Sequence, residues 1–312
     1  MSAATPDAPP PGVAAPPGVA SRLDHVGVVS ADGPALWAAY ERLGFALTPV
    51  SRQAAPRAPG GPAGPLATGN RCAMLREGRG YVELLALLDP ALPDNGIGAT
   101  LGARGGGGMH ILALGVEDAE GNLARLRRAG LDAPGVAPLE RDVEDEEGAT
   151  RAARFARLPL PPGSPEGRVQ LIRHDTPDLL WQRRWLDHPN RAVGLAATVL
   201  AADAPAENAA RLSRLAGLPL EPDPAGGYAM RVGGGVVRVV PTAALADLLP
   251  FGAAPPVPGV PWHAAFVVRT DDGAAAARAV LGEALGDAAP RDGPLGLTVP
   301  PGLAGGVAVA FA

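Results

Sequence analysis

The sequence predicts a mixed α+β fold made of four units, each with one strand, one helix and three further strands in that order. Two repeated features carry this prediction. A short apolar run followed by an aspartate helix cap, one helix and a glycine stop occurs four times, with the caps expected at Asp32, Asp118, Asp203 and Asp271. Each copy then closes on a second apolar run, which is typical of a buried strand. Self-similarity of this kind indicates repeated structural units, so the four copies are expected to share one local topology.

The first unit shows the pattern most clearly. The run RLDHVGVVS is predicted to be its first strand and places His25 among apolar residues. Asp32 is the expected cap of the following helix, and Gly44 is the expected stop. The closing strand, GYVELLALL, carries Glu83. A carboxylate among apolar neighbours is costly to bury alone, so Glu83 is a candidate functional residue.

The second unit repeats this order. Its first strand, MHILALG, carries His110, its helix is bounded by Asp118 and Gly130, and its closing strand, RVQLIRH, carries Gln170. Four glycines precede the first strand and are expected to form a joint between the two units. The segment 51–69 of the first unit is Gly/Pro-rich and lacks periodicity, which predicts a long loop that acts as a lid.

The third and fourth units are shorter and more degenerate. Gly194 stands in the first strand of the third unit, whereas His263 stands in that of the fourth. The closing strands hold Arg238 and an alanine near 308–310 where the first unit has Glu83. His263 has no acidic partner and is interpreted as structural. This second pair of units is interpreted as a structural or dimerising domain, which makes a homodimer one hypothesis.

The first two units resemble the vicinal oxygen chelate superfamily, which includes glyoxalase I, extradiol dioxygenases and bleomycin-resistance proteins. The resemblance rests on LDHVGVV, LGFAL, TGNRCAML and GYVELLALLDP, and its specific part covers about residues 22–175. It implies that two units pair into an open barrel around a divalent metal. The expected organisation is a disordered Pro/Ala tail over 1–20, a glyoxalase-like domain over 21–186 and a second, degenerate domain over 187–312.

The resemblance also implies a ligand set. Ligands come from the first and last strands of each unit, which selects His25, Glu83, His110 and Gln170 in this chain. Two imidazoles and one carboxylate suit Fe(II), and the set also suits Zn, Ni or Mn. Gln170 is neutral, so it is either a weak fourth ligand or a residue bordering an open site.

Four other residues are candidates for the same site. His174 follows Gln170 by four positions and is expected on the same face of the strand, as a general base at the cavity mouth or as a strand end paired with Asp175. Asn70 and Arg71 could hold a substrate anion or carbonyl, although Arg71 also suits an exposed strand position. Tyr81 is a further candidate for substrate binding or for proton transfer.

Composition excludes several classes of function. The net charge is -5 and no basic block occurs, which disfavours nucleic acid and anionic membranes as partners. A single cysteine, Cys72, excludes an intrachain disulfide and fits a reducing cytoplasm. No apolar run reaches the ~18 residues of a membrane span. The expected partner is therefore a small-molecule substrate.

These features favour a metal-dependent lyase or isomerase that acts on a small substrate with vicinal oxygens. Glu83 would be a ligand, a base or both, and the neutral Gln170 disfavours a strict glyoxalase I because an amide cannot take a proton. An extradiol ring-cleavage dioxygenase that uses Fe(II) is the first alternative. A non-catalytic small-molecule-binding protein is the second, although it leaves His25 and Glu83 unexplained.

Overall fold

The computed structural model describes residues 18–56, 63–159, 164–252, 254–286 and 290–312. The described chain is strand-rich and mixed α+β, as predicted. Its strands are β1 (Arg22–Ser30), β2 (Ser51–Pro56), β3 (Ala63–Met74), β4 (Tyr81–Leu87), β5 (Gly108–Gly115), β6 (Ala137–Glu144), β7 (Thr150–Pro159), β8 (Arg168–His174), β9 (Ala192–Ala202), β10 (Glu221–Asp223), β11 (Gly227–Val232), β12 (Gly235–Pro241), β13 (Trp262–Thr270), β14 (Arg291–Gly293), β15 (Gly296–Val299) and β16 (Ala308–Phe311). Its helices are α1 (Gly33–Arg42), α2 (Ile97–Ala103), α3 (Ala119–Arg128), α4 (Pro205–Ala216), α5 (Leu245–Leu248) and α6 (Ala275–Leu285). None of the described helices combines the length and the apolar character that a membrane crossing requires.

Two of the four predicted helix caps are present. The Asp32 carboxylate accepts a hydrogen bond from a backbone N–H in the first turn of α1, and Asp118 does the same for α3. The other two predictions are wrong. α4 begins after Ala204 without a side-chain cap, and Asp203 instead accepts a hydrogen bond from a threonine. Asp271 pairs with arginines and does not cap α6.

The strands join into one hydrogen-bonded network of sixteen strands. In four places a first strand runs parallel to the strand three positions later, namely β1 with β4, β5 with β8, β9 with β12 and β13 with β16. The other pairings of the described strands are antiparallel. β1 pairs with β5 and β9 pairs with β13, so each of these pairs forms a central seam.

The β1–β5 seam contains two bulges that position the site. The register moves from Leu23 opposite Leu114 to His25 opposite Ala113, which leaves Asp24 as an extra residue on β1. A second shift leaves His110 as an extra residue on β5. A bulge re-aims the side chains on its strand, so both positions depart from simple alternation.

Two sequence predictions about irregular segments need correction. The described parts of 51–69 are not a loop, because they form the antiparallel pair of β2 and β3. Only residues 57–62 of this segment lie outside the described residues. Of the predicted disordered tail, residues 1–17 lie outside the described residues as well. The end of that tail is ordered, since Ala20 is buried and its N–H donates to the carbonyl of Ala216 at 2.8 Å.

The largest apolar cluster extends through residues from all four units. Tyr40, Phe266 and Phe311 are among its fully buried members. A second cluster packs Leu245 and Leu248 of α5 against apolar residues of β9 and β13. This face of the β9–β13 seam is therefore filled by the chain's own side chains, whereas the β1–β5 seam borders a cavity.

Candidate active site

A cavity of about 650 Å³ lies over the β1–β5 seam. Residues from both of the first two units line it. The polar and charged lining residues that enter the argument below are His25, Asn70, Tyr81, Glu83, Arg141, Arg157, Arg168 and Gln170. Apolar surface comes from Leu85, Ile111, Phe155 and Ile172. The cavity thus combines groups able to transfer protons, cationic groups and an apolar wall.

His25 has a fixed orientation in this cavity. The bulge on β1 brings Asp24 beside it, and His25 Nδ1 donates to Asp24 Oδ1 at 2.8 Å. The ring of Tyr81 stacks on the His25 ring with centroids 4.4 Å apart. Because Nδ1 carries the proton given to the carboxylate, Nε2 of the neutral ring is left with its lone pair toward the cavity.

Asp24 is fully buried and collects three donors. Its Oδ1 also accepts from His174 Nε2 at 3.1 Å, and its Oδ2 accepts from Arg22 Nε at 3.1 Å. Burial on its own raises the pKa of this carboxyl, but the charges and hydrogen bonds of His174 and His25 prevail and hold the pKa well below its ordinary value. Asp24 therefore stays ionised and orients both imidazole rings.

Glu83 approaches His25 from β4. Its Oε2 lies 3.9 Å from His25 Nε2, and its Oε1 accepts a hydrogen bond from Asn70 Nδ2 at 2.6 Å. Asn70 Oδ1 is buried and has no hydrogen-bond partner among the described residues. The same ring nitrogen of His25 accepts a hydrogen bond from Gln170 Nε2 at 3.3 Å. The structure therefore brings together three of the four predicted ligands.

His110 is not one of them. Gly27 pairs with Glu83, and Ala113 pairs with Gln170, so Gly27 and Ala113 are equivalent by register. The residue equivalent to His25 is then Ile111, which lines the cavity, and His110 is one residue out of step. A slip of one position sends a strand side chain to the other face.

The surroundings of His110 differ from those of His25. Its Nε2 donates to the carbonyl of Gly106 at 2.8 Å, and its Nδ1 is buried without a partner among the described residues. Burial lowers the pKa of this ring, which favours the neutral form. The predicted equivalence of His110 and His25 is therefore wrong. By strand register, His110 is instead equivalent to Asp24, and each of the two is the extra residue at a bulge.

The donor set does not fit the metal centre that the resemblance implies. The four equivalent positions hold His25, Glu83, Ile111 and Gln170, which supply one imidazole, one carboxylate and one neutral amide. Within the described ranges, no group of three His, Cys, Asp or Glu side chains could hold a metal ion. The 2-His-1-carboxylate set that an Fe(II) dioxygenase needs is thus incomplete, since an isoleucine stands in the place of the second imidazole.

Two further sequence candidates lie elsewhere. Arg71 faces away from the cavity, where its Nε donates to the carbonyl of Thr48 at 2.8 Å and its Nη1 pairs with Glu41 at 2.7 Å. His174 lies behind the cavity wall against the Trp181 ring and contacts Asp24, while Asp175 pairs with Arg173. The predictions of Arg71 at the substrate and of a His174–Asp175 pair are therefore wrong.

The corresponding positions in the second half carry no comparable set. Arg238 pairs with Asp223 at 2.7 Å, and its strand register equates it with Glu83. His263 is buried, and both of its ring nitrogens lack partners among the described residues. Burial, and after it the charges of Arg104 and His110, lower the pKa of His263 to about 3, so its ring is neutral.

The sequence interpretation missed Asp24 and the arginines that line the cavity. The signal for Asp24 was a charged residue directly before His25 inside an apolar run. The signal for Arg141 and Arg157 was weaker, because each stands in a strand whose other polar residues face solvent. Only the pairing of β6, β7 and β8 puts these arginines on the face of Gln170.

Sequence comparison identifies one family. The model described as "Glyoxalase-like domain" matches residues 23–216, which is more than half of the chain. This match includes both units that form the cavity. No curated protein matches the chain.

Two solved structures share the fold of this chain at low sequence identity, and a third is similar with a lower score. A hypothetical protein from Staphylococcus aureus is 9% identical with a TM-score of 0.56, and the match covers 93% of this chain and 98% of that one. A mutant of 4-hydroxymandelate synthase from Streptomyces coelicolor is 14% identical with a TM-score of 0.50, covering 85% of this chain and 75% of that one. The Mn(II)-bound glyoxalase from Novosphingobium aromaticivorans is 12% identical with a TM-score of 0.48, covering 94% and 82%.

Proposed function

Since the chain belongs to the glyoxalase-like domain family of the vicinal oxygen chelate superfamily, we propose that the cavity is the active site of a lyase or isomerase. Its substrate is a small molecule with neighbouring oxygens, and the chemical step is a proton transfer. The carrying observation is the Asp24–His25 pair, in which His25 Nδ1 donates to Asp24 so that Nε2 is the ring nitrogen presented to the cavity. An imidazole oriented by a carboxylate is a common general base.

The geometry supports the following step. His25 Nε2 takes a proton from a carbon beside a carbonyl, and the C–H electron pair becomes a C=C bond while the carbonyl pair moves to oxygen. Asp24 stabilises the imidazolium that forms. Return of the proton to the former carbonyl carbon gives an isomer, provided that the hydroxyl on the deprotonated carbon passes its proton to the other oxygen and becomes the new carbonyl. For a lyase product, the enolate oxygen re-forms the carbonyl, and a substituent leaves with its electron pair from the carbon on the other side of the deprotonated carbon. Glu83, held at Oε1 by Asn70, keeps Oε2 available to accept a substrate hydroxyl.

No step in this proposal passes through a metal. The expected metal dependence rested on His110, and the residue equivalent to His25 is Ile111. The electrophilic assistance that a metal would give to the forming enolate must then come from protein donors. Gln170 and Asn70 supply neutral donors within the cavity.

We also propose a division of labour between the two halves. Residues 21–186 carry the site in two units that pair as an open barrel across the β1–β5 seam, and residues 187–312 support them. The packing of α5 on the β9–β13 face supports this view, because apolar side chains of the chain itself occupy the described part of that face. The homodimer remains a hypothesis of the same kind.

The test is solvent deuterium exchange. Incubation in D₂O with a panel of 2-oxo and 2-hydroxy acids and aldehydes, followed by proton NMR, should show loss of one C–H signal for the true substrate class. His25→Asn should slow exchange at least about 100-fold. His110→Asn is the matched control, because His110 does not line the cavity, and it should retain exchange. Equal loss in both variants, with folding intact by thermal unfolding, would argue against the assignment of His25.

A binding protein without catalysis is the second candidate. The amide of Gln170 donates to His25 Nε2 at 3.3 Å, and this contact occupies the lone pair that a base needs. Under the enzymatic proposal a substrate displaces this contact. The binding protein would be favoured if the parent protein binds a ligand but catalyses no deuterium exchange, and if Gln170→Ala, in which the contact to His25 is removed, also catalyses none.

A further inference from the structure

Three arginines face the cavity from three neighbouring strands. Arg141 lies on β6, Arg157 on β7 and Arg168 on β8, and all three line the cavity. Arg157 is opposite Ile172 in the antiparallel pair of β7 and β8, so both side chains are on one face. Arg168 precedes Gln170 by two residues on that same face, about 7 Å away along the strand.

None of these guanidinium groups has a carboxylate within 4.0 Å in the described part of the chain. Glu140 and Asp142 also border the cavity, and Glu140 pairs with Arg154 at 3.0 Å rather than with the cluster. Among the described residues, Arg168 donates to the carbonyl of Asn95 at 2.9 Å, and Arg141 donates to the hydroxyl of Ser51 at 3.2 Å. Carboxylates such as Glu83 border the cavity, but within the described ranges none of them forms a direct ion pair with these arginines. Three half-buried cations without a direct ion pair favour the binding of an anion between them.

Part of the hydrogen-bonding capacity of the cluster is also unused. The Nε atoms of Arg141 and Arg157 are buried and have no partner among the described residues. Burial is the main cause that lowers the pKa of Arg157 and of Arg168, and Glu83 opposes it in both cases. Both groups nonetheless remain cations at neutral pH, because an arginine keeps its charge in a protein. Unused N–H donors on cations match the oxygens of a carboxylate or a phosphate.

The two halves of the cavity have different chemistry. By strand register, Arg168 is equivalent to Tyr81, and Ile111 is equivalent to His25. The first unit therefore supplies the proton-transfer groups, and the second unit supplies cations and an apolar wall. The guanidinium of Arg141 also lies over the Phe155 ring, 5.7 Å from its centroid, which holds it in place.

We infer that the substrate is a small organic anion whose carboxylate or phosphate group binds to Arg157 and Arg168, with Arg141 as a third contact. This inference rests on the proposed function for the position of the reacting carbon at His25. The anion is held by the second unit, and the carbonyl and its neighbouring C–H extend across the seam to the first unit. The cations also stabilise the negative charge that develops on the carbonyl oxygen during proton transfer.

The experiment is isothermal titration calorimetry with malonate, inorganic phosphate and the uncharged malonamide. We expect malonate or phosphate to bind and malonamide not to bind. Arg157→Met and Arg168→Met should each weaken anion binding about 10–100-fold, the range for loss of a hydrogen bond to a charged group. Arg151→Met is the matched control, because Arg151 is an exposed residue on β7 and pairs with Asp145, which does not line the cavity. Tighter binding of malonate than of phosphate would identify a carboxylate substrate, and the reverse would identify a phosphate ester.

Two results would overturn the inference, namely equal binding of malonamide and malonate, or anion binding that Arg157→Met and Arg168→Met leave unchanged. His25→Asn separates this inference from the proposed function. The variant should bind malonate like the parent while it loses deuterium exchange. Anion binding without exchange in the parent would remove the enzymatic proposal and leave the anion site intact.

Discussion

At the scale of single residues, Asp24 determines what His25 can do. Its carboxylate accepts from Nδ1 of His25 and from Nε2 of His174, and it is completely buried. The sequence alone allowed prediction of His25 and Glu83, because a histidine and a carboxylate inside apolar strands are unusual. It did not allow prediction of the partner of His25, because Asp24 on a regular strand would point to the opposite face.

Asp24→Asn tests this role directly. The variant keeps the shape of the side chain but can present its amide N–H to the ring, which favours the wrong tautomer of His25. We expect deuterium exchange to fall by about 100-fold or more, whereas anion binding in the arginine cluster should persist. Glu117→Gln is a suitable control, because Glu117 is exposed and contacts Arg22, the third donor to Asp24. Exchange at the parental rate in Asp24→Asn would remove Asp24 from the mechanism.

His263 gives a pH-dependent prediction. Its pKa is about 3 in the folded protein, against an ordinary value of 6.5. Between these values the unfolded chain binds a proton that the folded chain does not, so the free energy of unfolding decreases as the pH falls. When the pH is lowered from 7 to 5, the free energy of unfolding should decrease in both proteins. The decrease should be about 2 kcal/mol smaller in His263→Leu than in the parent. Urea unfolding at both pH values measures this difference, and equal losses would contradict it.

At the scale of secondary structure, the two bulges on the β1–β5 seam decide which side chains reach the cavity. Each inserts one residue, Asp24 on β1 and His110 on β5. Hydrophobic periodicity predicted the order of strands and helices, because it depends on runs of many residues. It could not locate a single inserted residue, and so it aligned His110 with His25. The same weakness applied to 51–69, where Gly and Pro concealed a strand pair.

Gly27 tests the close approach of β1 and β5. A Cβ atom at this position would lie 2.6 Å from the Cβ of Ile111. Gly27→Ala should therefore lower the free energy of unfolding by about 1–3 kcal/mol, as expected for overpacking. Two further atoms of Ile111, Cδ1 and Cγ1, would lie 2.8 and 2.9 Å from the new methyl group, and Ile111→Ala removes both while it keeps Cβ. Adding Ile111→Ala should therefore restore part of this loss, with a coupling of at least about 0.5 kcal/mol.

Gly102→Ala is the control for this double-mutant cycle. Gly102 lies in α2, and a Cβ atom there meets nothing within 4 Å. The substitution should be neutral or should stabilise the protein by up to about 1 kcal/mol, because alanine is the better helix former. Purely additive effects of Gly27→Ala and Ile111→Ala in chemical denaturation would show that the two residues do not limit the strand approach.

At the scale of the whole molecule, the two halves share one apolar core. The rings of Phe45 and Phe311 stack with centroids 5.8 Å apart, and the Tyr40 hydroxyl donates to the carbonyl of Ala304 at 3.2 Å. His188 also donates to the carbonyl of Met74 at 2.8 Å. The sequence predicted four units but gave no sign of these contacts, because they join residues far apart in the chain.

The shared core predicts unfolding in one cooperative transition. In Trp262→Phe the remaining tryptophans, Trp37, Trp181 and Trp185, all report on the first half. Their fluorescence and the far-ultraviolet circular dichroism of the whole chain should then change at the same urea concentration. Separate midpoints would show that the halves unfold independently and that the second half does not support the first.

The central claim is that the imidazole of His25, oriented by Asp24, transfers the substrate proton in this cavity without a metal centre. The most direct test measures metal content by inductively coupled plasma mass spectrometry, before and after dialysis against Mn, Ni, Zn and Fe(II) salts. Deuterium exchange is measured in parallel in the presence of a chelator. The account predicts metal content well below one equivalent per chain and exchange that the chelator leaves unchanged. One tightly bound ion per chain, lost in both His25→Asn and Glu83→Gln and required for exchange, would contradict it.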